Sequence, residues 1–170
     1  METKLERISQ LSRENPNMVF TSIGHLINKE MLKSCHEVMD EEKAVGIDGV
    51  TKEEYSRNLD QNLESLVERL KKKSYKPKPA RLVEIPKDNG KMRPLSIYSY
   101  EDKLVQEALR RLLEAVFEPC FYDEMMGFRP NRSCHKAIQK LNTMIQSKPV
   151  SYVLDADIKG FFDHMDHEWI

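Results

Sequence analysis

The sequence predicts an α+β fold in which helices come first and an incomplete antiparallel sheet follows. Three observations carry that prediction. Apolar side chains recur at helical spacing in four segments, a tight hairpin with Asn89-Gly90 at its tip interrupts them, and the closing stretch Ser151-Tyr-Val-Leu-Asp-Ala-Asp157 reads as a buried strand. The order is helices, hairpin, helix, loop, helix, strand, without a regular βαβ alternation. One hairpin and one lone strand leave edges to be covered, so the sheet is unfinished as it stands.

Within residues 1–45, Ile23, Leu26, Ile27, Met31, Leu32, Cys35, Val38 and Met39 form an apolar stripe at helical spacing. Gly46-Ile-Asp-Gly49 is a turn, and Thr51-Lys-Glu-Glu54 is a capping box opening a helix with Leu59, Leu63, Leu66 and Leu70 on one face. Lys71-Lys-Lys-Ser-Tyr-Lys-Pro-Lys-Pro79 ends that helix, because its proline pair forces an extended path. The hairpin follows, Arg81 to Pro86 and Met92 to Ile97, with residues 87–91 as its turn. Ser99 and Asp102 start a helix whose thick apolar face is Leu104, Val105, Ala108, Leu109, Leu112, Val116 and Phe117, ended by Pro119. After the loop Gly127-Phe-Arg-Pro-Asn-Arg-Ser133 comes a helix with Ala137, Ile138, Leu141 and Met144 inward, and Pro149 separates it from the closing strand.

With 170 residues, 39% hydrophobic and 32% charged, the chain is large enough for one globular domain with a real core. Its net charge of −1 makes no global case for nucleic acid, so the distribution of charge must decide. Cys35, Cys120 and Cys134 are far apart with no CxxC spacing, which indicates neither a zinc knuckle nor a disulfide framework and suits a reduced cytoplasm. The start of the chain has no secretory pattern, and no apolar run approaches the ~20 residues that span a bilayer. A soluble, intracellular protein with no membrane partner is expected.

From Arg69 to Arg93 ten cations face two acids, a local balance of +8 that leaves −9 for the rest of the chain. Such a dipolar layout suits a polyanion bound on one side. Lysines at a helix end also complement the helix dipole, which accounts for Lys71, Lys72 and Lys73 but not for the hairpin. On the hairpin, period two puts Arg81, Val83, Ile85 and Lys87 on one face, as it does Arg93, Leu95 and Ile97 on the return strand. Lys87 and Arg93 thereby converge near the tip as a point charge and a bidentate fork for phosphates.

Asp155 and Asp157 share a face of the closing strand, where two ionised carboxylates call for a cation. Lys159-Gly160-Phe161-Phe162 turns the backbone so that amides face one side, a concavity suited to a triphosphate tail, with Phe162 as a wall beside a sugar. An ordinary strand-to-helix turn, its aspartates capping and its phenylalanines in the core, fits the same residues. His164 and His167 have helical spacing but no third metal ligand. Arg129 and Arg132 suit either a phosphate contact or a loop-holding role. Cys134 and His135 point about 100° apart on a helix, which excludes a nucleophile and base pair.

Taken together, Gly46-Ile-Asp-Gly-Val50, Ile85-Pro-Lys87 with Arg93-Pro-Leu95, Gly127-Phe-Arg-Pro-Asn-Arg-Ser133 and Ala156-Asp-Ile-Lys-Gly-Phe-Phe-Asp163 resemble, in order and spacing, the first blocks of bacterial group II intron reverse transcriptases, or maturases. The resemblance covers essentially the whole chain. It implies fingers over 1–98, with a helical extension to about 45 and the basic helix and hairpin over 51–97, and then the start of the palm over 99–170. It implies that Asp157 is the first metal-binding catalytic aspartate, with the Ile158 carbonyl as a further Mg²⁺ ligand. Lys87 and Arg93 correspond to grips on the incoming nucleotide's phosphates, Gly160 and Phe161 to amides under them, and Phe162 to the gate against a 2'-hydroxyl. Arg81 corresponds to a template contact, and the charge pattern adds Lys71, Lys72, Lys73, Lys76, Lys78, Arg129 and Arg132 as candidate RNA contacts.

The resemblance implies two-metal nucleotidyl transfer, with RNA template, DNA primer, dNTP and intron RNA as partners. One departure is large: the Tyr/Phe-x-Asp-Asp motif carrying the other catalytic aspartates is absent, and the doublet Glu101-Asp102 sits at a helix start. The chain is therefore expected to be a fragment that does not polymerise alone. Two alternatives stand beside the polymerase reading: a non-catalytic RNA-binding module, and a retron or diversity-generating reverse transcriptase, against which the helical block before Gly46 argues. Self-association through the N-terminal helices or an exposed palm face is also expected.

Overall fold

Apolar side chains three and four residues apart draw the first part of the chain into helices that share one core. The computed structural model describes residues 2–88, 90–166 and 168. Its elements are α1 (Glu2–Glu14), α2 (Lys29–Val38), α3 (Lys52–Ser56), α4 (Leu59–Lys71), β1 (Arg81–Pro86), β2 (Met92–Ile97), α5 (Tyr100–Phe117) and α6 (Cys134–Ser147). Short 3₁₀ turns lie at Gly24–Leu26, Glu118–Cys120 and Phe162–His164. The chain divides into two compact units, one ending at Phe121 and the other starting at Tyr122.

In the first unit Met31, Leu32 and Cys35 of α2, Leu63 and Leu66 of α4, and Leu104 of α5 are completely buried. Ala108, Leu112 and Ala115 of α5 and Ile8 of α1 extend that cluster. Each fully buried large side chain contributes about 2 kcal/mol of transfer free energy, so this cluster is what holds the unit together. Side chains cap the helices as the sequence predicts: Thr51 Oγ1 accepts from the Glu54 amide at 3.1 Å, and Ser99 Oγ accepts from the Asp102 amide at 3.3 Å. Asn28 adds a third cap, its Oδ1 taking the Met31 amide at 3.0 Å.

The end of α5 is finished by another helix. Ser9 Oγ donates to the Ala115 carbonyl at 3.0 Å and Ser12 Oγ to the Val116 carbonyl at 2.6 Å. Two of the carbonyls that a helix leaves without intrahelical donors are thereby satisfied from α1. The inward face of α1, Leu5, Ile8 and Ser12, is too short a stripe to stand out in sequence.

Four expectations are corrected. The single helix expected after Thr51 is two, because Asn62 Nδ2 donates to the Tyr55 carbonyl at 2.9 Å and Asn58 leaves helical geometry with φ −127° and ψ 39°. Leu109 and Phe117 point away from the core and are about half exposed, since the inward face of α5 is narrower than its apolar content. Ile138, Leu141 and Met144 of α6 are exposed rather than inward, and no described residue of the second unit is buried. The fourth concerns residues 151–158, which are exposed and irregular rather than a strand. Backbone polar groups make a strand only where a ladder partner accepts them, and among the described residues the single ladder is β1 with β2.

Candidate functional site

The hairpin forms as its alternating pattern and its glycine require. Arg81 pairs with Ile97, Val83 with Leu95 and Ile85 with Arg93, so these six side chains share one face as the period-two reading predicts. The Lys87 amide donates to the Lys91 carbonyl at 2.7 Å and the Gly90 amide to the Lys87 carbonyl at 2.9 Å, closing a loop in which Gly90 has φ +76°. Asn89, the other half of the predicted tip, lies outside the described residues. Pro86, Lys87, Asp88 and Arg93 line one open cleft of about 410 Å³. Both cations are exposed, and among the described residues neither side chain has a hydrogen-bond or ion-pair partner. A point charge and a planar fork on one small cleft provide the donors that a phosphate group takes.

The base of the hairpin is tied down by a network centred on a buried carboxylate. Asp102, 3% exposed, accepts from the Tyr75 hydroxyl, from the Lys78 amide at 3.1 Å and from Ser99 Oγ at 2.6 Å. Burial first, and then this bond to Asp102, push the Tyr75 phenol well above its ordinary range. Lys78 Nζ pairs with Asp48 at 2.9 Å, which raises its pKa. Arg81 spends Nε and Nη2 on the Val45 carbonyl at 3.1 and 2.8 Å, and Lys103 Nζ donates to the Ala44 carbonyl. Arg81, expected to contact a template, thus anchors its own strand in this structure. In sequence, only the Ser99 and Asp102 capping pair hinted at this network.

The lysines before the hairpin are mostly exposed. Lys72 pairs with Glu68, whereas Lys71, Lys73 and Lys76 are exposed. Lys73 takes φ +53° at the end of α4, where Ser74 and Tyr75 both donate to the Arg69 carbonyl. Glycine adopts that conformation at lower cost, so a lysine there retains a cation at the expense of backbone ease.

In the second unit Arg129 Nη1 donates to the Tyr122 and Met125 carbonyls at 2.6 and 2.9 Å, and Arg132 pairs with Asp123 at 3.0 Å. Of the two roles open in sequence, holding the loop is the one these bonds perform. Asp155, Asp157 and Ile158 are exposed on the irregular segment, so the two carboxylates are hydrated rather than presented by a rigid strand. Gly160 has φ +61° in the turn that follows, with the Phe161 and Phe162 rings edge to face at 5.4 Å and Phe162 83% exposed. His164 Nδ1 meets the Gly160 carbonyl at 2.7 Å. His167, the other member of the possible histidine pair, lies outside the described residues. No cluster of three metal-ligating side chains occurs among the described residues. No helix there is long and apolar enough to cross a membrane.

Residues 85–170 match the family model described as reverse transcriptase (RNA-dependent DNA polymerase). Over 165 residues, 96% of this chain and 27% of the other, the sequence is 36% identical to the group II intron-encoded protein LtrA of Lactococcus lactis subsp. cremoris. It is 32% identical over 168 residues to an uncharacterized 91 kDa protein in the cob intron of Schizosaccharomyces pombe, covering 97% of this chain and 21% of that one. Against protein YkfC of Escherichia coli K12 it is 37% identical over 125 residues, 72% of this chain and 33% of that one. The chain therefore spans about a fifth to a third of the length of these curated relatives.

Proposed function

Because the chain belongs to the reverse transcriptase (RNA-dependent DNA polymerase) family, we propose that it supplies the fingers and the first part of the palm of a group II intron reverse transcriptase. The fingers run over 1–98 and the palm begins over 99–170. The parent protein copies an RNA template by joining a dNTP to the 3'-hydroxyl of a DNA primer with release of pyrophosphate, and it binds its intron RNA in splicing. The pair of exposed cations in one cleft, Lys87 and Arg93, whose side chains have no partner among the described residues, is the observation that carries this reading. In it, Lys87 and Arg93 hold and neutralise the triphosphate, Gly160 and Phe161 offer amides to the phosphates, and Phe162 stands against a 2'-hydroxyl.

Asp157 and the Ile158 carbonyl are hard oxygen donors at exposed residues, the type that Mg²⁺ takes, and they fit it as part of a site. When bound, the metal ions ease deprotonation of the primer hydroxyl and offset charge on the phosphates. One carboxylate with one carbonyl holds Mg²⁺ weakly, and the sequence has no Tyr/Phe-x-Asp-Asp segment. The 170-residue chain alone is accordingly inactive, and primer extension by it would overturn that statement.

The test is a titration of this chain with inorganic triphosphate. Lys87→Ala and Arg93→Ala are each expected to weaken binding about tenfold or more, the scale of a charge-assisted hydrogen bond. Unchanged affinity in the double variant would remove the nucleotide reading. A second reading, RNA binding without catalysis, is favoured by the exposed run Lys71, Lys73 and Lys76. Under it, Arg129 and Arg132 hold their loop while the lysines and Lys78 meet the RNA backbone. A cytoplasmic location and self-association belong to the same proposal.

A further inference from the structure

We propose that the turn over residues 44–50 and the Asp102 carboxylate form a clamp that sets the angle of the β1–β2 flap, which makes Asp48, Lys78, Asp102 and Lys103 positioning residues for Lys87 and Arg93. This inference rests on the phosphate reading of those two cations. None of the described residues among 81–97 belongs to the hydrophobic core, so core packing does not fix the flap. Hydrogen bonds at its two stalks do. On the entry stalk, Tyr75 and the Lys78 amide bind Asp102, Lys78 Nζ binds Asp48, and the Arg81 guanidinium binds the Val45 carbonyl. On the exit stalk, Ser99 donates to Asp102, and Lys103 reaches the Ala44 carbonyl from α5.

The turn itself is shaped for this role. The Gly49 amide donates to the Gly46 carbonyl at 3.2 Å, and Asp48 Oδ1 takes the Val50 amide at 3.3 Å while its Oδ2 faces Lys78. A Cβ on Gly46 would lie 2.5 Å from Ser99 Cα and 2.7 Å from the Tyr98 carbonyl oxygen, so the turn seats directly on the backbone of the exit stalk. Leverage makes the clamp matter. Six strand residues carry the tip about 20 Å from the base, so a 10° rocking there moves the tip by about 3.5 Å. That is more than a hydrogen bond to a phosphate tolerates.

The experiment uses this chain with Lys78→Met, Lys103→Met and the conservative Lys78→Arg. Lys29→Met, which loses ion pairs to Asp60 and Glu64 away from the hairpin, is the control. Amide hydrogen exchange across residues 82–96 is read beside inorganic triphosphate affinity. In Lys78→Met and Lys103→Met, hairpin amides are expected to exchange about tenfold faster, with α2 and α4 unchanged, and triphosphate to bind several-fold more weakly. Lys78→Arg restores both, and Lys29→Met moves neither. Unchanged hairpin exchange in both methionine variants overturns the clamp. Faster exchange at full affinity, with Lys87→Ala still weakening binding, overturns the positioning role alone. If Lys87→Ala leaves affinity unchanged, the phosphate reading and the positioning role fall together, and exchange still decides whether the clamp exists.

Discussion

Asp102 collects three donors on one carboxylate inside the first unit, and a buried acceptor of that kind is costly to remove because its donors cannot turn to water. Asp102→Asn keeps the shape but sets an NH₂ against one of those donors. A loss of about 2–4 kcal/mol in urea unfolding is expected. His36 is the second informative residue. Ser56 Oγ gives its proton to the Lys52 carbonyl at 2.7 Å, so it accepts from His36 Nε2 at 3.1 Å, and Nδ1 then accepts from the Tyr100 hydroxyl at 2.7 Å. Those two partners suit a neutral ring with its proton on Nε2. Burial first, and then the nearby Lys52 charge, hold its pKa below the usual 6.5, with Glu37 opposing, while burial pushes Tyr100 up to about 12. As pH falls the unfolded chain takes up the proton first. The contribution of His36 to stability is therefore flat above about pH 6.5 and is lost as pH falls below it. The unfolding midpoint should drop as pH falls below about 6.5, and His36→Gln should flatten that slope.

At one place the backbones themselves meet. The seat of Gly46 against Ser99 leaves no space for a methyl group, so Gly46→Ala is expected to cost about 2 kcal/mol or more by thermal unfolding. Gly49 needs its glycine for another reason, a φ of +70° in the same turn. Between α1 and α5 the ties are Ser9 and Ser12, and Ser12, 3% exposed, also lies 3.3 Å from Cys120 Sγ. Ser12→Ala leaves the Val116 carbonyl with the weak Cys120 thiol donor at 3.7 Å in place of the hydroxyl and should cost about 1 kcal/mol. Leu104→Ala in the second turn of α5 opens a cavity at a completely buried position, and a loss of about 3 kcal/mol is the outcome to measure.

Across the whole chain, charge and apolar surface are unevenly spread. The stretch from Arg69 to Arg93 carries +8 against −9 elsewhere, so binding of single-stranded RNA should fall steeply with salt. For about five phosphate contacts the affinity drops roughly a hundredfold between about 50 and 200 mM salt. Asp157→Ala should leave that binding intact. Combined Lys71→Ala, Lys72→Ala and Lys73→Ala should lower the slope. The exposed apolar side chains Ile138, Leu141, Met144 and Ile145 of α6 favour association. Light scattering showing a strict monomer at high concentration would remove self-association from the proposal.

The hairpin, its register and its tip cations were legible in sequence because alternation and a glycine turn are local signals that act over a few residues. The caps at Thr51 and Ser99 and the inward faces of α2, α4 and much of α5 were legible for the same reason. So was the family, since four ordered blocks identify it without coordinates. What only the tertiary structure decided were the long-range partners: Asp102 joining Tyr75 to Ser99, Arg81 taking the Val45 carbonyl, Asn62 breaking a helix, and α1 finishing α5. It also decided that residues 151–158 stay irregular, because an apolar run makes a strand only when a neighbour pairs with its backbone. Sequence fixes which groups a residue offers, whereas the partner that satisfies them depends on what the fold brings within about 3 Å.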